Sequence, residues 1–371
     1  TVTTGLQELI EVTDIQKKIK GNVAYLCHGA SITKDFQIGI IALKKIFGER
    51  LVKIFGPQHG FVGDVQDNMV ETSHYHHPYF NLPVYSLYSE TRSPTEEMLA
   101  GVDTIIVDLQ DVGVRVYTYI STLMLLMKEC AKTGTHVFVL DRPNPIGGKM
   151  VEGVILEDAY KSFVGITNIP QRHGMTMGEV AVFMKKHEKI DCKLSIVPMK
   201  GWHREMMFTE TGLPWVNPSP NLPTVDGAYC FPGTVLFEGT NISEGRGTTR
   251  SLEIIGHPKI EPFSLLDELT PVLKAWKLGG FVLRPIIFRP TFQKHQGVSC
   301  GGFQIQVTHP KIFQAWKLGQ LLMHELYKYL GEDFKWKSDP YEYVYDKLAI
   351  DVINGTDKLR HWVEKNGSSQ E

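Results

Sequence analysis

Residues 103–140 read DTIIVDLQDVGVRVYTYISTLMLLMKECAKTGTHVFVL, and their pattern decides the fold class. The run at 103–109 is nearly all apolar, as expected of a strand covered on both faces. Helical spacing of apolar residues follows over 117–132 and stops at Gly134. HVFVL at 136–140 is one more buried strand, ending at Asp141-Arg142-Pro143. An alternation of this kind is the signature of a mostly parallel sheet with helices on both faces.

The same rhythm extends outward in both directions. Upstream, apolar runs at 22–27, 51–55 and 83–87 read as strands, and 36–47 reads as a helix. Pro94-Thr95-Glu96-Glu97 has the proline and acids that suit a helical first turn, where exposed N–H groups favour them. Downstream, 175–187 (MTMGEVAVFMKKH) is helical and 194–198 is a strand. A doubly wound α/β domain over 1–214 is therefore expected. Between 212 and 247 the chain turns rich in Pro, Gly, Asn and Ser, and a long stretch without clear elements is usually functional. We place the domain junction there, near Trp215. Residues 215–371 alternate helix (265–277), strand (282–288), strand (302–307) and helix (313–330) before a Tyr-rich tail, which is a smaller α+β domain. The tail after Trp362 is expected to fray.

The 371 residues carry 39 Lys and Arg against 41 Asp and Glu, a net charge of −2. No clustered basic field is available for nucleic acid or an anionic membrane. Five cysteines, Cys27, Cys130, Cys192, Cys230 and Cys300, form no C-x-x-C pair and read as reduced core thiols, at least one of them unpaired. The most apolar stretch, 117–127, contains Thr118, Ser121 and Thr122 and is too short for a transmembrane segment. A start at Thr1 fits either a trimmed leader or a sequence that begins late, which leaves export open. A periplasmic or extracellular location is expected, with the cytoplasm left open.

Several common chemistries lack their motifs. There is no Walker loop, and Cys27-His28-Gly29-Ala30-Ser31 stands where a dinucleotide fingerprint would follow the first strand. Gly147-Gly148 lacks the third glycine, so no nicotinamide cofactor is expected. The imidazoles of His74, His76 and His77 fit no zinc spacing, and a solvated loop outweighs a metal site. No G-x-S-x-G elbow exists. Cys27 and His28 are neighbours on a strand end and point to opposite faces.

The carboxylates carry more information. GPQHG, DLQDVGVR and DRPNP each follow a strand, and ligands of open α/β sheets bind outside the carboxyl ends of strands. These segments are expected to converge. Asp108, Asp111, Asp141, Glu152, Glu238 and Glu244 all lie beside glycine, arginine or asparagine on strand ends or irregular loops. Asn, Arg, Tyr and carboxylate around a crevice suit sugar recognition, because hydroxyls and amides need many directional donors and acceptors.

Read together, GPQHGFVGD, LPVYSLY, DLQDVGVRVYTYISTL, VLDRPNPIGG, VEG, RHGMTMGE, PSPNLPT and FEGTNISEGRGTT closely resemble the NamZ family of exo-β-N-acetylmuramidases, also known as DUF1343. The resemblance implies a Rossmann-like domain plus a smaller C-terminal domain with the active cleft at their interface, release of terminal N-acetylmuramic acid from peptidoglycan fragments, a cell-wall sugar or muropeptide as partner, and no metal or other cofactor. It also implies a site. Glu244, Asp111, His59 and Glu90 are the catalytic candidates. Gln58, Arg115, Tyr117, Asp141, Asn144, Asn221, Asn241 and Arg246 are the candidates for binding substrate, with Arg115 or Arg246 facing a lactyl carboxylate in a bidentate fork.

Two positions depart from the family pattern. Pro57-Gln58-His59-Gly60 stands for the usual Pro-Glu-His-Gly, and Ser86-Leu87-Tyr88-Ser89, followed by Glu90, for Ser-Leu-Tyr-Gly. An amide cannot donate a proton with a carboxylic acid's facility. Three outcomes are open: another acid such as Glu90 or Glu244 donates, the leaving group needs little protonation, or the chain binds a cell-wall sugar without cleaving it.

Overall fold

A computed structural model describes residues 1–67 and 69–365; the tail expected to fray lies, beyond Lys365, outside them. Two compact units make up the chain. The first comprises 1–113, 117–148 and 174–220, and the second comprises 114–116, 149–173 and 221–371.

The first unit is built on a seven-stranded sheet, in which strands β1 (Val23–Cys27), β2 (Leu51–Gly56), β3 (Tyr75–His77), β4 (Leu82–Ser86), β5 (Thr104–Asp108), β6 (His136–Leu140) and β7 (Leu194–Val197) take the order β3-β4-β2-β1-β5-β6-β7. All pairings are parallel except β3 with β4. β1 and β5 are buried at every position, which explains their continuous apolar sequence. Each large apolar side chain buried there stabilises the fold by about 1.5–3 kcal/mol. The helix at Tyr119–Thr133 stops at Gly134, whose φ of 76° closes it in the left-handed conformation.

Strand order reverses direction between β1 and β5. The chain leaves β1 toward β2 and leaves β5 toward β6, so the loops after these two strands diverge and open a crevice at their carboxyl ends. Edge strand β3 is a departure from the reading of 74–77 as a loop. Its imidazoles serve local structure: the His74 Nδ1 accepts from the Ser86 amide at 2.9 Å, and the His77 Nδ1 accepts from Tyr79 and Phe80 at 3.2 and 3.3 Å.

In the second unit, β8 (Ile254–His257), β9 (Phe281–Phe288) and β10 (Cys300–Val307) form a smaller antiparallel sheet in the order β8-β10-β9. Helices Val225–Thr234, Pro262–Ala275 and Ala315–Leu330 accompany it. The first of these falls inside the stretch read as irregular. Its Pro232 and glycines hide the periodicity, and Thr224 caps it by accepting from the Gly227 amide at 2.9 Å. All five cysteines are buried and free. No helix among the described residues is long and apolar enough to cross a membrane.

Candidate functional site

The crevice of the first unit is assembled from the loops after β1, β2, β5 and β6. Gln58 follows β2 by two residues and is buried. Its Oε1 accepts from the Thr118 hydroxyl at 2.6 Å. Thr118 is the N-cap residue of the helix Tyr119–Thr133, and its side chain makes no capping bond. The hydroxyl is turned to Gln58 instead. His59 and Gly60 both take positive φ, 71° and 80°, and a non-glycine in that region is strained in a way common at functional sites. The His59 Nδ1 lies 2.7 Å from the Val65 carbonyl oxygen.

A second group of bonds joins β1 to β5. The Gln110 amide donates to the His28 Nε2 at 3.0 Å, which leaves the proton of the neutral ring on Nδ1, 3.1 Å from the Pro218 carbonyl. The Tyr119 hydroxyl donates to the same carbonyl at 2.6 Å. Burial, helped by the Arg142 charge, lowers His28 to about 3, so the ring is neutral at physiological pH. Tyr117 stands against Tyr119 with ring centroids 4.7 Å apart. Burial pushes both phenols up. Asp111 is buried beside them, and its Oδ2 accepts from the Gly113 amide at 2.9 Å.

Beneath these groups lie side chains occupied with structure. Asp108 is fully buried and takes Arg142 in a two-point contact of 2.6 and 3.1 Å, with the Tyr25 hydroxyl at 2.7 Å. Both Asp141 oxygens are used at the start of helix Met177–His187. Oδ1 accepts from the Gly178 and Arg142 amides, Oδ2 from the Thr176 hydroxyl. Burial raises Asp141 to about 6 in spite of these bonds. Asn144 donates to the Met175 carbonyl at 3.0 Å and accepts from the Ile146 amide at 3.1 Å. It lies under Gly113, where a Cβ would meet the Asn144 Oδ1 at 2.3 Å. The Gln110 amide nitrogen donates to the Pro143 carbonyl at 3.0 Å, so GPQHG, DLQD and DRPNP do gather at one end of the sheet.

The second unit holds a different kind of cluster. Glu244 is buried; its Oε1 is 2.9 Å from the Arg246 Nη1, and its Oε2 is 2.7 Å from the Lys294 Nζ. Arg246 also reaches the Glu238 Oε1 at 2.6 Å, and the Tyr341 hydroxyl donates to Glu238. Lys294 donates further to the Phe237 and Ile242 carbonyls at 2.7 and 3.0 Å. Burial alone would raise Glu244, but Lys294 and Arg246 outweigh it and hold the carboxyl at about 2. Glu244 is thus an anion at neutral pH. That state suits a base or a charge stabiliser and not a proton donor.

The remaining candidates are placed as follows. Arg115 is buried in the second unit and donates to the carbonyls of Val154, Ile169, Ile353 and Asn354. Asn241 donates to the Asp333 carbonyl at 2.8 Å and accepts from the Lys335 amide at 2.9 Å. Asn221 is buried and accepts through its carbonyl from Ser251. Glu90 is exposed. His28, Thr118, Tyr119 and Lys294 were not among the sequence candidates. The strand-end rule that selects Gln58 applies equally to His28, directly after β1. Lys294 carries no local signal, because its partner is fifty residues away in the chain.

A switch-point α/β unit with a polar crevice, joined in sequence to a unit with a smaller antiparallel sheet, is a class of fold that binds small polar ligands at strand ends. The description "Exo-beta-N-acetylmuramidase NamZ, N-terminal" matches residues 23–226, and its C-terminal counterpart matches residues 229–371. The chain belongs to this family. It is 42% identical over 371 residues, 100% of this chain and 86% of the relative, to the peptidoglycan beta-N-acetylmuramidase NamZ of Bacillus subtilis strain 168. Two crystal structures of DUF1343 family proteins from Bacteroides fragilis share the fold. One has a TM-score of 0.84 at 29% identity, covering 98% of this chain and 92% of that one. The other has 0.72 at 28% identity, covering 100% and 92%.

Proposed function

We propose that this chain is an exo-acting glycoside hydrolase that releases terminal N-acetylmuramic acid, or a related amino sugar, from peptidoglycan fragments. Identity of 42% along the whole chain to a relative named for that activity carries the reading. In support, the strand-end loops of the first unit carry Gln58, Tyr117, Asp111 and His59, side chains of the types that sugar hydroxyls and an acetamido group require. A periplasmic or extracellular place of action goes with this substrate.

Glycosidases generally need a proton donor and a second group acting as base or nucleophile. Glu244, anionic at neutral pH, is restricted to the second of these roles. Asp111 and Glu90 are then the carboxyl candidates for donation, and the Gln58 amide can hold a glycosidic oxygen by hydrogen bond without protonating it. Asp111→Asn and Glu244→Gln, assayed separately, assign the chemistry to one unit or the other.

The second reading is a protein that binds the same sugar without cleaving it, and Gln58 is the observation that favours it. Turnover of a chromogenic N-acetylmuramide by the intact chain separates the two. Release of the chromophore supports the hydrolase; binding without release at high protein concentration replaces it with the binding protein.

A further inference from the structure

Within the second unit, a pocket of about 870 Å³ shares no residue with the Glu244 cluster. Trp276, Trp316 and Trp362 line it, together with Lys317, Lys358 and His361. The rings of Trp276 and Trp362 are 5.9 Å apart at 53°, and the Lys317 ammonium lies 5.9 Å from the centre of Trp276. Glu152 is the acid on the wall, and its carboxylate is tied to Arg172 at 3.0 Å. Lys358 meets Glu157 at 2.9 Å at the surface, and His361 stands 3.4 and 3.7 Å from Asp357 and Glu364. Exposed pairs of this kind contribute little and exchange readily. The lining is therefore aromatic and cationic.

Its floor is built rigidly. Val154 and Asn354 both line the pocket, and the buried Arg115 guanidinium donates to both of their carbonyls, at 2.8 and 2.9 Å. Gly355, with φ of 77°, lets Arg115 approach: a Cβ there would stand 2.7 Å from the Arg115 Nη2. On this floor the Asn354 side chain is 1% exposed, and its Oδ1 has no hydrogen-bond partner among the described residues. Trp316 Nε1 is in the same condition.

We propose that this pocket is a second binding site, for an acidic N-acetylated sugar whose ring stacks on the indoles and whose carboxylate meets Lys317 and its cationic neighbours. Indole faces pack against the C–H face of a pyranose, and a carboxylate on the same ring takes up the lysine charge. The choice of sugar rests on the glycan reading above; the pocket's aromatic and cationic character does not.

The test uses the whole chain, with N-acetylmuramic acid and the neutral N,N′-diacetylchitobiose as probes, followed by tryptophan fluorescence and calorimetry. Trp276→Ala is expected to weaken binding of both sugars at this site by about tenfold, equivalent to 1.4 kcal/mol. Lys317→Ala, a surface change that spares the fold, is expected to weaken the acidic sugar about threefold to tenfold, within the range for a desolvated cation, and to leave chitobiose unaffected. Turnover of a chromogenic N-acetylmuramide stays at the native level in both variants. Binding of both probes unchanged in both variants overturns the site. A sugar-free stem peptide that binds here, and is lost in Trp276→Ala, while neither sugar binds, overturns the sugar assignment. Absence of turnover in the native chain defeats the hydrolase reading alone, since the affinity changes are read without catalysis.

Discussion

The polar clusters around Gln58 and around Glu244 differ in electrical state, although each unit buries at least one ion pair. In the first, Gln58 with Thr118 and neutral His28 with Tyr119 make a network of neutral hydrogen bonds above the Asp108–Arg142 pair. In the second, Glu238 and Glu244 are locked to Arg246 and Lys294 as buried ions. A neutral network can accept a substituted acid and change its chemistry. A closed ionic one resists, because removing any member leaves an uncompensated buried charge. The contrast teaches where a new carboxyl can be accommodated, and Gln58 lies on the neutral side.

Introducing an acid at position 58 is the sharpest way to probe that contrast. Gln58→Glu is expected to raise hydrolysis of a chromogenic N-acetylmuramide by about 10²–10⁴-fold, the usual contribution of a positioned general acid. Steady-state rates check it, and a variant slower than an already active native protein would place the donor elsewhere. Next in size is the ionic side: Lys294→Met removes one cation facing Glu244 and is expected to lower unfolding free energy by about 3–5 kcal/mol, read by urea denaturation. A loss below about 1 kcal/mol would mean that the cluster is not locked, and the contrast between units would fail.

Acid should act on both units, through a buried histidine in each and then through Glu244 in the second. His28 moves from 6.5 unfolded to about 3 folded, and His257 from 6.5 to about 4, in both cases chiefly by burial. With the folded value depressed, the unfolded chain binds more protons in between. Stability is then full above pH 6.5 and declines as pH falls toward these values. Glu244 moves from 4.5 to about 2 and adds a later decline below pH 4.5. Melting temperature measured against pH is expected to lose part of its slope between pH 6.5 and 3 in His28→Asn while keeping the part below 4.5; an unchanged profile would refute a neutral buried His28. The smallest effect is expected from Thr118→Val, which removes the hydroxyl held by Gln58 and should reduce stability by about 0.5–1.5 kcal/mol in a thermal melt.

Much of the first unit was legible because its strands are buried on both faces and so write continuous apolar runs, 103–109 and 136–140 among them. β3 was not, since a short edge strand of Tyr75, His76 and His77 has one paired side and a half-polar composition. Helix Val225–Thr234 was masked by Pro232, tolerated near its end. Of the candidate site, the strand-end motifs led to Gln58, His59 and Asp111, whereas Arg115, suggestive of a carboxylate clamp in sequence, is spent on four backbone carbonyls.

By itself, then, the sequence determined the fold class, the strand-end location of the polar loops and the amide at position 58, all of which depend on local periodicity and residue identity. Only tertiary structure decided what each polar group does. Whether Asp141 faces a ligand or caps a helix, whether Glu244 is proton donor or permanent anion, and whether three tryptophans share one pocket depend on partners brought near by folding. Burial sets the energetic stakes, because the same carboxylate or guanidinium that titrates and exchanges freely in water is fixed in role once desolvated against a chosen neighbour.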